Sequence, residues 1–288
     1  MKAAAIGTFD GVHEGHRLLL RCLRQKAAKA GLEPLVITFD RHPLEVVAPE
    51  RAPLRLSTPE QQMRMLRAEG VDVCVVPFTE STRSLTAEEW LRRLRDTMGV
   101  RLVVLGYDNT FGSDGRQLSA SDYDAIGKAL GLGVVHAPRL DGVSSSAVRR
   151  AVAAGDVELA ARMLGRYFTL EGCVEHGRHL GTGLGFPTAN LTAALRSAIP
   201  ANGVYACYAS MPGGERRKAV VNVGTRPTVE AHGERTVEAH IPGWKGDLYG
   251  RRLRLEFVSR LRGETRFGSL EELREAIARD AAQAASLL

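Results

Sequence analysis

Gly7-Thr8-Phe9-Asp10-Gly11-Val12-His13-Glu14-Gly15-His16 sets two histidines around a glycine, directly after the apolar run Ala3-Ala4-Ala5-Ile6. From Arg17 to Ala30 the apolar residues Leu18, Leu19, Cys22, Leu23, Ala27 and Ala30 recur at helical spacing. The pattern predicts a strand that feeds the N-terminus of a helix, with the histidines at the junction. A helix N-terminus carries unpaired backbone N–H groups and the positive end of the dipole, which suits a phosphate. Gly11 and Gly15 let backbone approach a ligand closely, and two imidazoles can donate hydrogen bonds to phosphate oxygens. The plainer alternative is a glycine-rich turn with two surface histidines.

Outward from that stretch, short apolar runs alternate with amphipathic ones. Strands are expected at residues 3–7, 34–39, 71–77, 102–105 and 133–136, and helices at 17–30, 59–69, 87–98 and 120–130. Such alternation argues for an α/β parallel sheet with helices on both faces. Ligands bind such sheets beyond the C-terminal strand ends. Four segments fall there: His13 and His16 after the first strand, residues 40–43 with His42 after the second, 106–112 after the fourth, and 144–149 after the fifth. Two short helical stretches, 147–154 and 157–164, form a connector. After Gly165 the texture changes to short alternating strands broken by Gly/Pro clusters, as in a small antiparallel barrel. Ser269 as N-cap and Glu272 as its capping-box partner open a last helix to about Leu287.

The 288 residues suffice for two domains, expected at 1–165 and 166–288. A net charge of +6 favours polyanionic ligands, yet no basic run with interleaved aromatics marks a nucleic-acid site. No apolar run is long enough to span a bilayer, so no membrane partner is expected. The N-terminus lacks the apolar core of a signal peptide. Four scattered cysteines fit a reducing, cytoplasmic setting and offer no zinc ligand set. Nothing here identifies a protein partner.

The His-x-Gly-His pattern resembles the nucleotidylyltransferase superfamily. The longer form, Gly-Thr-Phe-Asp-Gly-Val-His-x-Gly-His, resembles the bacterial bifunctional riboflavin kinase/FAD synthetase (FMN adenylyltransferase) family. The likeness continues through Thr38-Phe39-Asp40-Arg41-His42-Pro43, Gly106-Tyr107-Asp108-Asn109-Thr110-Phe111-Gly112 and Val143-Ser144-Ser145-Ser146-Ala147-Val148-Arg149. Asn109 stands where an aromatic is usual, and Ser146 where threonine is usual. The resemblance implies a Rossmann-like nucleotidylyltransferase sheet that joins FMN to the adenylyl group of ATP and releases pyrophosphate. His13 and His16 would hold the α- and β-phosphates, and Arg149 and the serines the leaving group. Gly7, Phe9, Asp10, Gly15, His42, Asp108, Phe111, Ser144, Ser145 and Ser146 would line the nucleotide and flavin. Glu14, between the histidines, is expected to face solvent.

In the second half, Gly181-Thr182-Gly183-Leu184-Gly185-Phe186-Pro187-Thr188-Ala189-Asn190 resembles the family's riboflavin kinase signature, with Thr182 in place of an arginine. A glycine-rich segment can lie over phosphates, and the Thr188 hydroxyl and Asn190 amide oxygen are hard ligands suited to Mg²⁺. Thr236-Val237-Glu238-Ala239-His240-Ile241 alternates, which sets Glu238 and His240 on the polar face. By the family match Glu238 is the base for the ribityl 5′-hydroxyl. Gly181, Gly185, Pro187, Asn222 and Arg262 join the cofactor contacts, and residues 261–267 would form a lid over the flavin. The implied fold is a β-barrel kinase domain with a C-terminal helix, and the implied ligands are riboflavin, FMN, FAD, ATP and Mg²⁺. Two rivals remain open: another nucleotidylyltransferase with an accessory barrel, and a barrel that binds nucleic acid.

Overall fold

The N-terminal alanine run becomes the middle strand of a parallel sheet. The computed structural model describes residues 1–107, 110–175, 186–194, 196–225 and 235–288. Its contacts divide the chain into two compact units, Met1–Pro53 with Ser57–Ser145 and Leu54–Leu56 with Ser146–Leu288.

In the first unit, β1 (Lys2–Ile6), β2 (Glu33–Phe39), β3 (Asp72–Val76), β4 (Val100–Leu105) and β5 (Gly133–His136) run parallel in the order β3-β2-β1-β4-β5. Helices α1 (Glu14–Ala30), α2 (Leu44–Val47), α3 (Pro59–Ala68), α4 (Glu80–Arg83), α5 (Ala87–Met98) and α6 (Ala120–Ala129) lie in the crossovers. Because both faces are covered, the strands read as near-continuous apolar runs. Alternation still sorts them. Ala4, Ile6, Ile37 and Val103 meet Trp90, Leu91 and Leu94 of α5, while Ala3, Ala5 and Val36 meet Leu20 and Leu23 of α1 and Leu66 of α3. Capping boxes start α3 (Thr58, Gln61), α5 (Thr86, Glu89) and α6 (Ser119, Asp122), so two otherwise orphaned N–H groups are met at each. The five expected strands and four long helices are all present. The single-turn α2 and α4 have no periodicity to read. The connection from β1 runs to β2 and that from β4 runs the other way to β5, so the switch point where α/β sheets bind ligands lies at the C-terminal ends of β1 and β4.

The helices α7 (Ser145–Ala154) and α8 (Val157–Leu164) precede six antiparallel strands: β6 (Phe168–Glu175), β7 (Thr188–Ala193), β8 (Gly203–Ser210), β9 (Arg216–Thr225), β10 (Arg235–His240) and β11 (Arg252–Arg262). These close into a barrel in the order β10-β7-β6-β11-β8-β9. Its interior holds Phe168, Tyr205, Cys207, Val221, Val237, Leu255 and Phe257, all buried. The last helix, α9 (Leu270–Leu287), covers Val204, Ala206 and Val220 through Ala284. Its expected capping box is only half made. The Ser269 hydroxyl accepts from Glu272 N–H, but the Glu272 carboxylate accepts from Gly268 N–H instead of Ser269.

Candidate functional sites

The switch point of the first unit is occupied by a turn that most residues avoid. Phe9 (φ +47°), Gly11 (+77°) and Val12 (+37°) all take left-handed backbone between β1 and α1. For Phe9 and β-branched Val12 this costs on the order of 1–3 kcal/mol each, a strain that tends to cluster at functional sites. Gly7 is needed beside it, since a Cβ there would stand 3.2 Å from the Phe9 ring.

The turn delivers His13 as the N-cap of α1. His13 Nδ1 accepts from His16 N–H at 3.3 Å, so in neutral His13 the proton, and with it the ring's donor, is on Nε2. The two imidazoles stack, with centroids 3.7 Å apart and planes 18° from parallel, and the Phe9 ring backs His16 at 5.1 Å. Gly15 permits the stack, because a Cβ would meet the His13 ring at 3.1 Å. Glu14 does not simply face solvent as expected. It is half-buried and pairs with Arg17 at 2.8 Å and Arg21 at 3.9 Å, which offsets part of the repulsion it would exert on a phosphate.

Ser145, the first residue of α7, donates its hydroxyl to Asp10 O at 2.9 Å, and Ser144 precedes it at the cap. Ser146 is exposed. His42 Nδ1 accepts from Leu44 N–H at 3.1 Å and so helps start α2. Phe111 is buried against Tyr123, whose hydroxyl bonds both its N–H and its carbonyl. Arg149, grouped with the second unit, gives Nε–H to Leu54 O at 2.7 Å. Asp108, Gly181 and Gly185 lie outside the described residues.

On the barrel, register aligns a polar row. Glu175 of β6 is opposite Asn190 of β7, Asn190 opposite Glu238 of β10, and Glu238 opposite Asn222 of β9. Directly opposite residues share a face. Val237 and Ala239 are buried in the barrel, so the row points outward, as the alternation predicts. The neighbouring row pairs Thr188 with His240, whose Nδ1–H donates to Pro187 O at 3.0 Å. Arg262 is differently engaged: its guanidinium grips the buried Asp280 carboxylate at 2.8–3.2 Å, with the Phe267 ring 5.5 Å away. The fork expected for a cofactor therefore fastens the 261–267 segment to α9.

Sequence reasoning missed Ser57 and Gln62, both buried polar residues whose bonds reach the strained turn. The only trace was a glutamine on the apolar stripe of α3, beside Leu66.

Comparison with known proteins gives the chain a family. A family model described as FAD synthetase matches residues 1–149, and one described as riboflavin kinase matches residues 164–288. A Pseudomonas fluorescens bifunctional riboflavin kinase/FMN adenylyltransferase is 40% identical over 293 residues, covering 99% of this chain and 92% of its own. The Escherichia coli K12 protein of the same name is 38% identical over 281 residues, covering 96% and 89%. A crystal structure described as a macrolide-efflux protein from Streptococcus pneumoniae superposes with a TM-score of 0.90 at 30% identity, covering 98% and 93%. That description concerns efflux; among the described residues here, no helix is long and apolar enough to cross a membrane. With two family models in tandem and full-length relatives of one name, the chain belongs to the bifunctional riboflavin kinase/FMN adenylyltransferase family, which makes FMN from riboflavin and FAD from FMN.

Proposed function

We propose that the two half-reactions use separate residue sets, divided near residues 165 and 166. The observation that supports this is the placement of the His13–His16 stack on one compact unit and of the Asn190–Glu238–Asn222 row on the other, although Ser146 and Arg149 of the adenylyl-transfer set are grouped with the second unit.

In adenylyl transfer, an FMN phosphate oxygen attacks the α-phosphorus of ATP in line, the α–β bridging P–O bond breaks, and pyrophosphate leaves. Little covalent help is needed, so positioning and charge stabilisation dominate. His13, through Nε2–H, and His16 hold the α- and β-phosphates over the N-terminus of α1. Ser145 gives its hydroxyl to Asp10, and by the motif Ser144, Ser145 and Ser146 supply anion contacts at the start of α7. Arg149 holds the leaving pyrophosphate; this part of the assignment rests on the motif.

In the kinase reaction, Glu238 accepts the ribityl 5′-hydroxyl proton as its oxygen attacks the γ-phosphorus, and ADP leaves. Asn190 and Asn222 flank that carboxylate and hold it in register. Thr188 and Asn190, two apart on β7, share one face and offer a hydroxyl and an amide oxygen, a donor set that fits Mg²⁺. When bound, Mg²⁺ would neutralise charge on the β- and γ-phosphates. The four free cysteines support a cytoplasmic location.

His16→Ala tests the division. With riboflavin, ATP and Mg²⁺ supplied, chromatography should show FMN accumulating and FAD absent. Loss of FMN formation in the folded variant would count against separate sites.

A further inference from the structure

The strained turn before the histidines is held by a residue outside every motif. Ser57, 7% exposed, lies just before the N-cap Thr58 of α3. It makes three bonds into the turn. Its N–H donates to Asp10 Oδ1 at 3.2 Å, its hydroxyl donates to the same oxygen at 3.3 Å, and its Oγ accepts from Gly11 N–H at 3.2 Å. Asp10 is also 7% exposed, and its carbonyl takes the Ser145 hydroxyl. Upstream, Gln62 donates to Thr8 O at 2.6 Å and to Thr38 Oγ1 at 3.1 Å. The backbone is therefore gripped on both sides of Phe9, the first left-handed residue.

A serine at position 57 is chemically specific. One small hydroxyl donates to Asp10 while accepting from Gly11, which no apolar residue can do. Alanine would remove the Oγ that accepts from Gly11 N–H and the hydroxyl that donates to the buried Asp10 carboxylate. The released strain can then relax through Val12 into His13, the next residue and the N-cap that carries the imidazole stack.

We infer that Ser57, acting through Asp10, is a positioning residue for adenylyl transfer: it fixes the left-handed turn at residues 9–12 and so sets the direction of the His13–His16 stack. This rests on assigning those histidines to adenylyl transfer. A misplacement of about 1 Å at a reacting centre can cost on the order of 100-fold in rate. Substrate affinity, shared among many contacts, should change far less.

The test is steady-state FMN adenylylation and riboflavin phosphorylation by full-length Ser57→Ala, Ser57→Thr, Asp10→Ala, the Ser57→Ala/Asp10→Ala double variant and His16→Ala. Ser57→Ala should lower the adenylylation kcat by roughly 10–100-fold, with KM for ATP and FMN within about twofold of wild type. Unchanged KM values also show that the unit is folded. Ser57→Thr, which keeps the hydroxyl, should recover most of the rate, and FMN formation should be untouched in both. The double variant should be no slower than Asp10→Ala alone, since both remove one linkage. A wild-type kcat in Ser57→Ala, a loss confined to KM, failure of Ser57→Thr to recover, or fully additive losses would each overturn the inference. If His16→Ala keeps its adenylylation rate, the histidine assignment fails and the inference falls with it. If His16→Ala is inactive while Ser57→Ala is normal, only the inference falls.

Discussion

A single carboxylate carries the most exposed claim at the residue scale. Glu238 lies on an outward barrel row between two asparagines, and its strand neighbours Val237 and Ala239 are buried. Glu238→Gln keeps that shape and the flanking hydrogen-bond capacity but cannot accept a proton. Removing a general base typically costs on the order of 10²–10⁴ in rate. FMN formation should fall by that factor in a stopped assay with saturating riboflavin and ATP, while KM for riboflavin changes little. FMN adenylylation should stay at wild type, because the His13–His16 stack lies on the other unit. An unchanged kinase rate would make Glu238 a solvated strand residue. Cys207 marks the opposite case: burial in the barrel pushes its thiol well above the usual range, so it is a packing residue and not a nucleophile.

At the scale of elements, the loops that build the sites are fastened by side chains more than by periodic structure. Asp40, at the end of β2, accepts from Phe78 N–H beyond β3 at 2.8 Å and pairs with Arg41 at 3.1 Å. Partial burial pushes its carboxyl up, but the Phe78 N–H and the Arg41 guanidinium outweigh that and hold it below the ordinary 3.8. The folded chain thus binds this proton less readily than the unfolded chain does. Its contribution to stability is complete above the ordinary Asp value and is lost as pH falls through the lowered one. Thermal unfolding between about pH 5 and pH 3 should therefore show a shallower loss of stability in Asp40→Asn than in wild type. Equal slopes would show that the β2–β3 tie does not titrate. These fastenings also explain what the sequence could and could not reveal. The strands and long helices follow from periodicity, and the histidine and serine motifs lie where two strand ends predict. Ser57 and Gln62 escaped notice because their partners are 24–54 residues away in the chain. Nothing local signals that Asp280, 18 residues on from Arg262, takes its guanidinium fork.

For the whole molecule, the two proposed residue sets would carry chemistries that meet only through FMN, the product of one and the substrate of the other. Each unit has its own apolar core: the two faces of the parallel sheet in one, the barrel interior and the α9 cover in the other. A lesion in one residue set should therefore leave the other working within the same chain. His16→Ala retains the kinase row and Glu238→Gln retains the histidine stack. Either variant alone, given riboflavin and ATP, should form almost no FAD: the first stops at FMN, and the second is starved of it. Mixed in equal amounts, they should restore FAD formation after a lag, because FMN released by one variant is adenylylated by the other. The lag should shorten as the concentration of both variants rises, since the intermediate must build up in solution. Following FAD by chromatography against time checks both features. A mixture no more active than its components would mean that FMN made on one chain is used only by that chain, and the two residue sets could not then be treated as independent catalysts.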